Sequence, residues 1–146
     1  MSYFPKSIVL VPIDFSPPSV KAIQTAMELA ETSDGVHVLH VIPTTNPASP
    51  AGIWGGPEVD DAFIKKATQS LRQVLNDHGF RGVNARVTAG TPGHDIPAVA
   101  KTLNANLIVI PSHGETGLTR TLIGSVAERV VRYAECPTLV LRSPSL

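Results

Sequence analysis

Glycine and serine residues that suit phosphate binding gather in one segment of the chain, residues 111–125. Gly114 and Gly117 allow the backbone to approach a ligand closely, and Gly124-Ser125 stands where a helix is predicted to begin. The free N–H groups and the positive end of a helix dipole suit a phosphate, and the Ser125 hydroxyl adds a donor. A glycine-rich turn followed by a serine cap would have the same composition, so both interpretations stay open on these residues alone.

Several nucleotide-binding motifs are absent from the sequence. It contains no G-x-x-x-x-G-K-[ST] and no G-x-G-x-x-G after its first apolar run. The turn after that run, DFSPP at 14–18, is neither a flavodoxin-type phosphate loop nor the acidic pair of a response regulator. The Ser-Gly-Gly-x-Asp-Ser loop of ATP-dependent adenylating enzymes is also missing. Each absence excludes one class of protein.

The same segment is poorly equipped for phosphoryl transfer. It supplies Glu115 and Arg120 but no lysine, whereas efficient transfer needs a cationic clamp, Mg²⁺ held by carboxylates and a group that positions the nucleophile. Arg120 either approaches the phosphates or is a solvated loop charge. A cradle of backbone N–H groups binds a ground state about as well as a transition state. We therefore expect slow phosphoryl transfer at most.

The remaining conspicuous residues favour structural roles. His37 and His40 are three apart on a predicted strand, so they point to opposite faces and cannot readily share a metal. Cys136 is the only cysteine, which excludes a disulfide framework and a thiolate-rich metal site. Trp54 is either a lid over a bound base or, more commonly for such a residue, part of the packing. The sequence identifies no metal ligand.

Composition limits the class of protein further. The 146 residues carry 12 Lys+Arg and 12 Asp+Glu, so no general positive field is available for nucleic acid or an anionic membrane. The chain is 42% hydrophobic and 16% charged, enough for a real core. No apolar stretch approaches the roughly 18 residues of a transmembrane helix, and the N-terminal run is too short for a secretory signal. We expect one soluble, cytoplasmic domain spanning residues 1–146.

Five short apolar runs alternate with helical patterns along the chain. The runs cover residues 8–11, 36–42, 83–89, 107–110 and 138–141. Nearly unbroken apolar strands are typical of a sheet with helices on both faces. The alternation predicts a three-layer, doubly wound α/β fold with a five-stranded parallel sheet. Ligands of such folds bind beyond the carboxyl ends of the strands, which directs attention to residues 12–16, 42–45, 89–93 and 111–125.

Four helices are predicted between these runs. The first is capped by Ser16 and stops at Asp34-Gly35; the second runs from near Pro57 to His78. The third covers about 92–103, and the fourth begins at Gly124-Ser125. Their predicted inward residues are Val20, Ile23, Met27 and Ala30 on the first helix, Phe63, Ala67, Leu71, Val74 and Leu75 on the second, Ile96, Val99, Ala100 and Leu103 on the third, and Val126, Ala127, Val130 and Val131 on the fourth.

Six segments in order resemble the universal stress protein family. PSHG at 111–114, then nine residues, then Gly124-Ser125 is similar to that family's signature G-x-x-G, nine residues, G-[ST]. The other five segments are IVLVPIDFS at 8–16, VLHVI at 38–42, GTPGHDI at 90–96, ANLIV at 105–109 and CPTLVL at 136–141. The likeness covers nearly the whole chain. It departs from the signature at its first glycine, which is Pro111 here, and proline has no N–H to donate.

The resemblance implies the strand order 3-2-1-4-5 and, in one branch of the family, bound ATP, here with Mg²⁺. Carried over by position, Asp14 would lie at the adenine edge with Pro12 nearby, and the Val41 backbone would contact the base. The phosphate contacts would come from Gly114, Gly124, Ser125 and Val126. Pro111, Gly117 and Arg120 complete the candidate binding residues.

The leading hypothesis is an ATP-binding regulatory protein whose nucleotide occupancy tunes the 111–123 loop and, through it, an unidentified partner protein. The resemblance also implies a homodimer built with the last strand, residues 138–141, which is apolar enough for an interface edge. One alternative is a nucleotide-free interaction protein of the same fold, which Pro111 keeps open. The other is a slow ATPase or nucleotidyl-handling enzyme that uses Asp14 and Arg120.

Overall fold

A computed structural model of the chain describes residues 3–44, 59–112 and 123–142. Its centre is a five-stranded sheet in the order β3-β2-β1-β4-β5, with every neighbouring pair parallel. The predicted topology is therefore confirmed. The strands are β1 Val9–Pro12, β2 Val36–Pro43, β3 Asn84–Gly90, β4 Leu107–Pro111 and β5 Thr138–Leu141.

Burial along the strands follows their place in the sheet. All of β1 is buried, because Val9 at its start pairs with both Val36 of β2 and Leu107 of β4. The two edge strands are more exposed: β3 alternates, and each residue of β5 is half-buried. The continuous apolar runs thus belong to the strands that are covered on both faces.

Helices cover the two faces of the sheet and form two separate cores. The helices are α1 Pro17–Leu29, α2 Asp61–Asp77, α3 Pro92–Leu103 and α4 Ser125–Tyr133. Val9 and Val11 of β1 pack with α1 and α2, whereas Leu10 between them packs with α3 and α4. The alternation of a strand's side chains therefore sends neighbouring residues into different cores. None of the helices among the described residues combines the length and apolar composition needed to cross a bilayer.

Two helix boundaries differ from the prediction. Helix α1 ends at Leu29, five residues before Asp34-Gly35, because Ala30 turns into extended backbone and bridges Lys6. The predicted stop instead lies in a separate 3₁₀ turn, Ser33–Gly35. Helix α2 begins at Asp61 rather than near Pro57, because the Asp60 side chain accepts a hydrogen bond from the Phe63 N–H at 2.9 Å and caps the helix there.

The predicted inward face of α4 is partly wrong. Ala127 and Val130 are buried as expected, but Val126 is 37% exposed and Val131 is 50% exposed. A nine-residue helix that packs by one narrow stripe buries residues three apart and leaves their neighbours outside. Val126 consequently borders open space at the start of the helix, and this position makes it part of the site described next.

Candidate functional site

A cleft of about 430 Å³ opens where the carboxyl ends of β1, β2 and β4 meet the first turns of α3 and α4. From β1 the chain continues to β2 on one side, whereas β4 lies on the other, so the cleft occupies the point where the strand order reverses. This is the usual ligand position in an open α/β sheet. Its walls are mostly apolar, with Leu39, Ile96 and Ile110 among the lining residues.

Seven predicted binding residues line this one cleft: Pro12, Asp14, Val41, Pro111, Gly124, Ser125 and Val126. They come from four elements that are far apart in sequence. Gly114, Gly117 and Arg120 lie outside the described residues, as does Trp54. Contacts between any of these residues and a ligand stay predictions.

The N-terminus of α4 borders the cleft without a side-chain cap. Gly124 is the N-cap residue, and within the described part of the chain no side chain accepts from the first-turn N–H groups of this helix. The Gly124 N–H itself donates to the Ser112 carbonyl at 2.7 Å, which fixes the start of the helix against the end of β4. Free N–H groups at a helix N-terminus favour an anion.

Ser112 is a cleft residue that the sequence did not single out. It follows β4 directly, lines the cleft and is 1% exposed. Its Oγ atom is buried and has no hydrogen-bond partner among residues 3–44, 59–112 and 123–142. The position lay within the interval 111–125 already flagged for ligand binding, but nothing in the sequence distinguishes an unpartnered serine from a bonded one.

Where β1 ends at the cleft, hydroxyl groups hold the Asp14 carboxylate. Asp14 Oδ1 accepts from the Ser16 N–H at 3.0 Å, from Ser19 Oγ at 3.0 Å and from Ser16 Oγ. The prediction that Ser16 caps α1 with its side chain is wrong: Ser16 occupies the N-cap position, but its hydroxyl bonds Asp14 instead. Ser16 and Ser19 are buried, so the Asp14 side chain is anchored from below.

His40 is a second lining residue whose role the sequence did not reveal. Its Nδ1 atom lies 3.0 Å from the Ile13 carbonyl oxygen, and its ring meets the Phe15 ring edge-on at 4.7 Å. A carbonyl oxygen can only accept, so the Nδ1–H of His40 donates this hydrogen bond. The Asp14 carboxylate gives this part of the cleft a hydrogen-bond acceptor, in contrast to the N–H donors at α4.

No group of three His, Cys, Asp or Glu side chains within residues 3–44, 59–112 and 123–142 is arranged to hold a metal ion. Cys136 is half-buried, and burial raises the pKa of its thiol, which keeps it protonated and unreactive.

Comparison with protein families matches residues 7–142 to the universal stress protein family. The chain belongs to that family. Universal stress protein YxiE of Bacillus subtilis is 32% identical over 146 residues, which covers 92% of this chain and 97% of YxiE. Universal stress protein MJ0531 of Methanocaldococcus jannaschii is 30% identical over 141 residues, which covers 93% of this chain and 82% of that protein.

Solved structures of universal stress proteins share the fold. UspA from Lactobacillus plantarum superposes with a TM-score of 0.69 at 23% identity and covers 93% of this chain and 97% of its own. The complex of an Archaeoglobus fulgidus protein with dAMP has a TM-score of 0.59 at 22% identity, covering 93% and 98%. A universal stress protein in complex with cAMP has a TM-score of 0.65 at 19% identity, covering 96% and 99%.

Proposed function

We propose that this universal stress protein binds an adenine nucleotide, ATP with Mg²⁺, in the cleft and that occupancy regulates a partner protein. One observation carries the proposal: the uncapped N-terminus of α4 and the unpartnered Ser112 hydroxyl border the same cleft. Both offer hydrogen-bond donors, and a phosphate group carries only acceptors at neutral pH.

The other end of the cleft suits the base. The Asp14 carboxylate is an acceptor, which matches the exocyclic amine of adenine and not the carbonyl group of guanine. Pro12, Leu39 and Val41 supply apolar surface for a flat ring. The cAMP and dAMP complexes of structural relatives support an adenine nucleotide as the ligand class.

Mg²⁺ needs no dedicated protein cage for this role, because it commonly keeps several waters and binds through nucleotide phosphates. Gly114, Gly117 and Arg120 would complete the phosphate contacts. Hydrogen-bond donors line the phosphate end of the proposed nucleotide site, but apart from Arg120 no cationic side chain is predicted there. We therefore propose a binder, with ATP hydrolysis slow at most.

Pro111 favours a second candidate, a nucleotide-free interaction protein of the same fold. This residue ends β4 beside Leu141 of β5 and has no N–H to offer a ligand. In either case we propose a cytoplasmic homodimer that pairs through β5, an edge strand whose four residues are each half-buried. Light scattering of purified protein would test the dimer, because a monomer at every concentration contradicts it.

Two measurements separate the binder from the nucleotide-free protein. Freshly purified protein is denatured and its supernatant is analysed for nucleotide by chromatography; nucleotide-free protein is then titrated with MgATP in a calorimeter. We expect released adenine nucleotide or heat of binding, and a Gly124→Val variant that keeps its circular dichroism spectrum but loses both. Neither released nucleotide nor heat from the wild type would leave the interaction protein as the better candidate.

Phosphate release tests the enzyme alternative. We expect a rate near background for the wild type and little change in Arg120→Ala. A substantial rate that collapses in Arg120→Ala would identify an ATPase and contradict the binder.

A further inference from the structure

Two buried hydroxyl groups in the described part of the chain have no hydrogen-bond partner, Thr88 Oγ1 and Ser112 Oγ. Native proteins leave few buried polar atoms unsatisfied, because each one loses its bonds to water without replacement. The two groups differ in one respect: Ser112 lines the cleft, whereas Thr88, on the edge strand β3, does not. A ligand in the cleft can therefore supply the hydrogen-bond partner that Ser112 Oγ lacks, whereas it cannot do so for Thr88.

The backbone of Ser112 is fixed on both sides. Its N–H donates to the Leu141 carbonyl at 2.8 Å, and its carbonyl accepts from the Gly124 N–H at 2.7 Å. The residue is thus bonded to the end of β5 and to the first residue of α4. A hydroxyl on so fixed a backbone keeps a nearly constant position, which is what a ligand contact requires.

Ser112 lines the cleft together with Ile110, two residues earlier in the chain. Ile110 packs in the core beneath α3 and α4 and also lines the cleft. The Ser112 hydroxyl lies in the cleft wall near the N-terminus of α4, whose Gly124 N–H donates to the Ser112 carbonyl.

We propose that Ser112 Oγ donates a hydrogen bond to a phosphate oxygen of the bound nucleotide, an inference that rests on the proposed function. At this end of β4 the other donors are lost: Pro111 has no N–H, and the Ser112 N–H is bonded to Leu141. The hydroxyl replaces the donor that proline removes from the signature. A phosphate oxygen would give this buried hydroxyl the partner that it lacks among the described residues.

The test compares Ser112→Ala with a matched control, Thr88→Val, which removes the other unpartnered hydroxyl outside the cleft. Each variant and the wild type, freed of nucleotide, is titrated with adenosine, AMP, ADP and ATP. We expect Ser112→Ala to lower the affinity for the phosphate-bearing ligands roughly 10-fold or more, as for one hydrogen bond to a charged group. Its affinity for adenosine, and every affinity of Thr88→Val, should change less than about twofold, within the spread of distant substitutions.

Thermal unfolding of the nucleotide-free proteins provides a second readout. Removing an unsatisfied buried hydroxyl does not destabilise a protein, so both variants should unfold at or above the wild-type temperature. A lower unfolding temperature for nucleotide-free Ser112→Ala would mean that the hydroxyl has a stabilising partner within the protein itself. That result would overturn the proposal.

Four binding outcomes also overturn it. Wild-type affinity of Ser112→Ala for ATP leaves the proposed function intact and removes only this contact. If Ser112→Ala loses the same affinity for adenosine as for ATP, the hydroxyl contacts the nucleoside or its removal distorts the cleft as a whole. If Thr88→Val loses as much affinity as Ser112→Ala, the loss is a general distortion of the protein. A wild type that binds none of the four ligands removes the proposed function itself, and this inference with it.

Discussion

The Ser19 hydroxyl holds Asp14 at two points. Ser19 Oγ donates to Asp14 Oδ1 at 3.0 Å and accepts the Asp14 backbone N–H at 3.2 Å. Ser19 lies in the first turn of α1 and is 2% exposed, so a buried side chain fixes the rotamer and the backbone of an exposed residue. The orientation of Asp14 in the cleft therefore depends on the packing of α1 against the sheet.

Replacing Ser19 with alanine should loosen Asp14 and weaken binding at the base end of the cleft. We expect Ser19→Ala to lower the free energy of unfolding by about 1–2 kcal/mol, through loss of hydrogen bonds that include one to a carboxylate. The affinities for adenosine and for ATP should fall by the same factor, because both ligands carry the base. Urea unfolding and calorimetric titration would measure the two effects.

Thr25→Ala is the matched control for Ser19→Ala. Thr25 is a half-buried residue of α1 outside the cleft, and its hydroxyl donates to the Lys21 carbonyl within the helix. The Thr25→Ala variant should leave the affinities for adenosine and ATP unchanged, and its free energy of unfolding should stay within about 0.5 kcal/mol of wild type. A Ser19→Ala variant with wild-type affinity for adenosine would show that Asp14 does not need this anchor.

The five strands and the layers could be predicted, because continuous apolar runs and alternating helical patterns depend on sequence that is local to each element. The strand order came from the resemblance to the family, since no local pattern encodes it. The helix ends were less predictable. Helix α1 stops at Leu29 because Ala30 bridges Lys6, a contact between residues far apart in the chain. The end of α2 is local by contrast, because Gly79, just beyond the helix, has a positive φ of 76° that glycine adopts readily.

The features of the candidate site also fall into those that the sequence could predict and those that it could not. Gly124, Ser125 and Asp14 could be selected by residue type and position. The unpartnered state of Ser112 and the two bonds from Ser19 to Asp14 depend on which atoms meet across elements, and no spacing rule encodes that. The exposure of Val126 had the same origin: the helical pattern suggested an inward residue, and the open cleft beside α4 leaves it exposed.

Acidification should destabilise the fold through His37. Burial and, secondarily, the nearby Arg86 guanidinium hold the pKa of His37 below its ordinary value of 6.5, although Asp34 acts in the opposite direction. The unfolded chain then takes up a proton near pH 6.5 while the folded protein resists it. Stability is therefore complete above that pH and declines as the pH falls from 6.5 towards the lowered pKa.

A His37→Gln variant should lose less stability than the wild type between about pH 7.5 and about pH 5.5. Urea unfolding at the two pH values measures the difference, and the other histidines contribute equally to both proteins. An NMR titration of His37 supplies the control: Arg86→Gln should raise its pKa by removing a nearby positive charge. A His37 resonance that titrates at or above pH 6.5 in the wild type would contradict the prediction.

Asp60 should contribute to stability as the cap of α2, whereas its neighbour Asp61 should not. Asp60 accepts from the Phe63 N–H at 2.9 Å, and Asp61 is an exposed residue of the first turn. We expect Asp60→Ala to cost about 1 kcal/mol of unfolding free energy and Asp61→Ala about 0.5 kcal/mol or less, because it loses only a dipole interaction. Equal effects in urea unfolding would mean that the side-chain cap adds nothing beyond negative charge.

Gly35 should tolerate alanine worse than Gly79 does, although only Gly79 has a positive φ. A Cβ atom on Gly35 would lie 2.2 Å from the Ser7 carbonyl oxygen, which is backbone and cannot swing away. On Gly79 the same atom would have nothing within 4 Å, and the cost comes from the φ of 76° alone. We expect a loss of about 1–2 kcal/mol for Gly79→Ala and about 3 kcal/mol or more for Gly35→Ala.

Urea unfolding of the two glycine variants tests this order, with Gly79→Asn as the control. Asparagine tolerates the left-handed region better than alanine does, so Gly79→Asn should recover part of the loss at that position. No residue with a Cβ atom can rescue Gly35, because the collision with Ser7 arises from the first side-chain carbon. A Gly35→Ala protein as stable as Gly79→Ala would require the segment around Ser7 to move, and with it the start of β1.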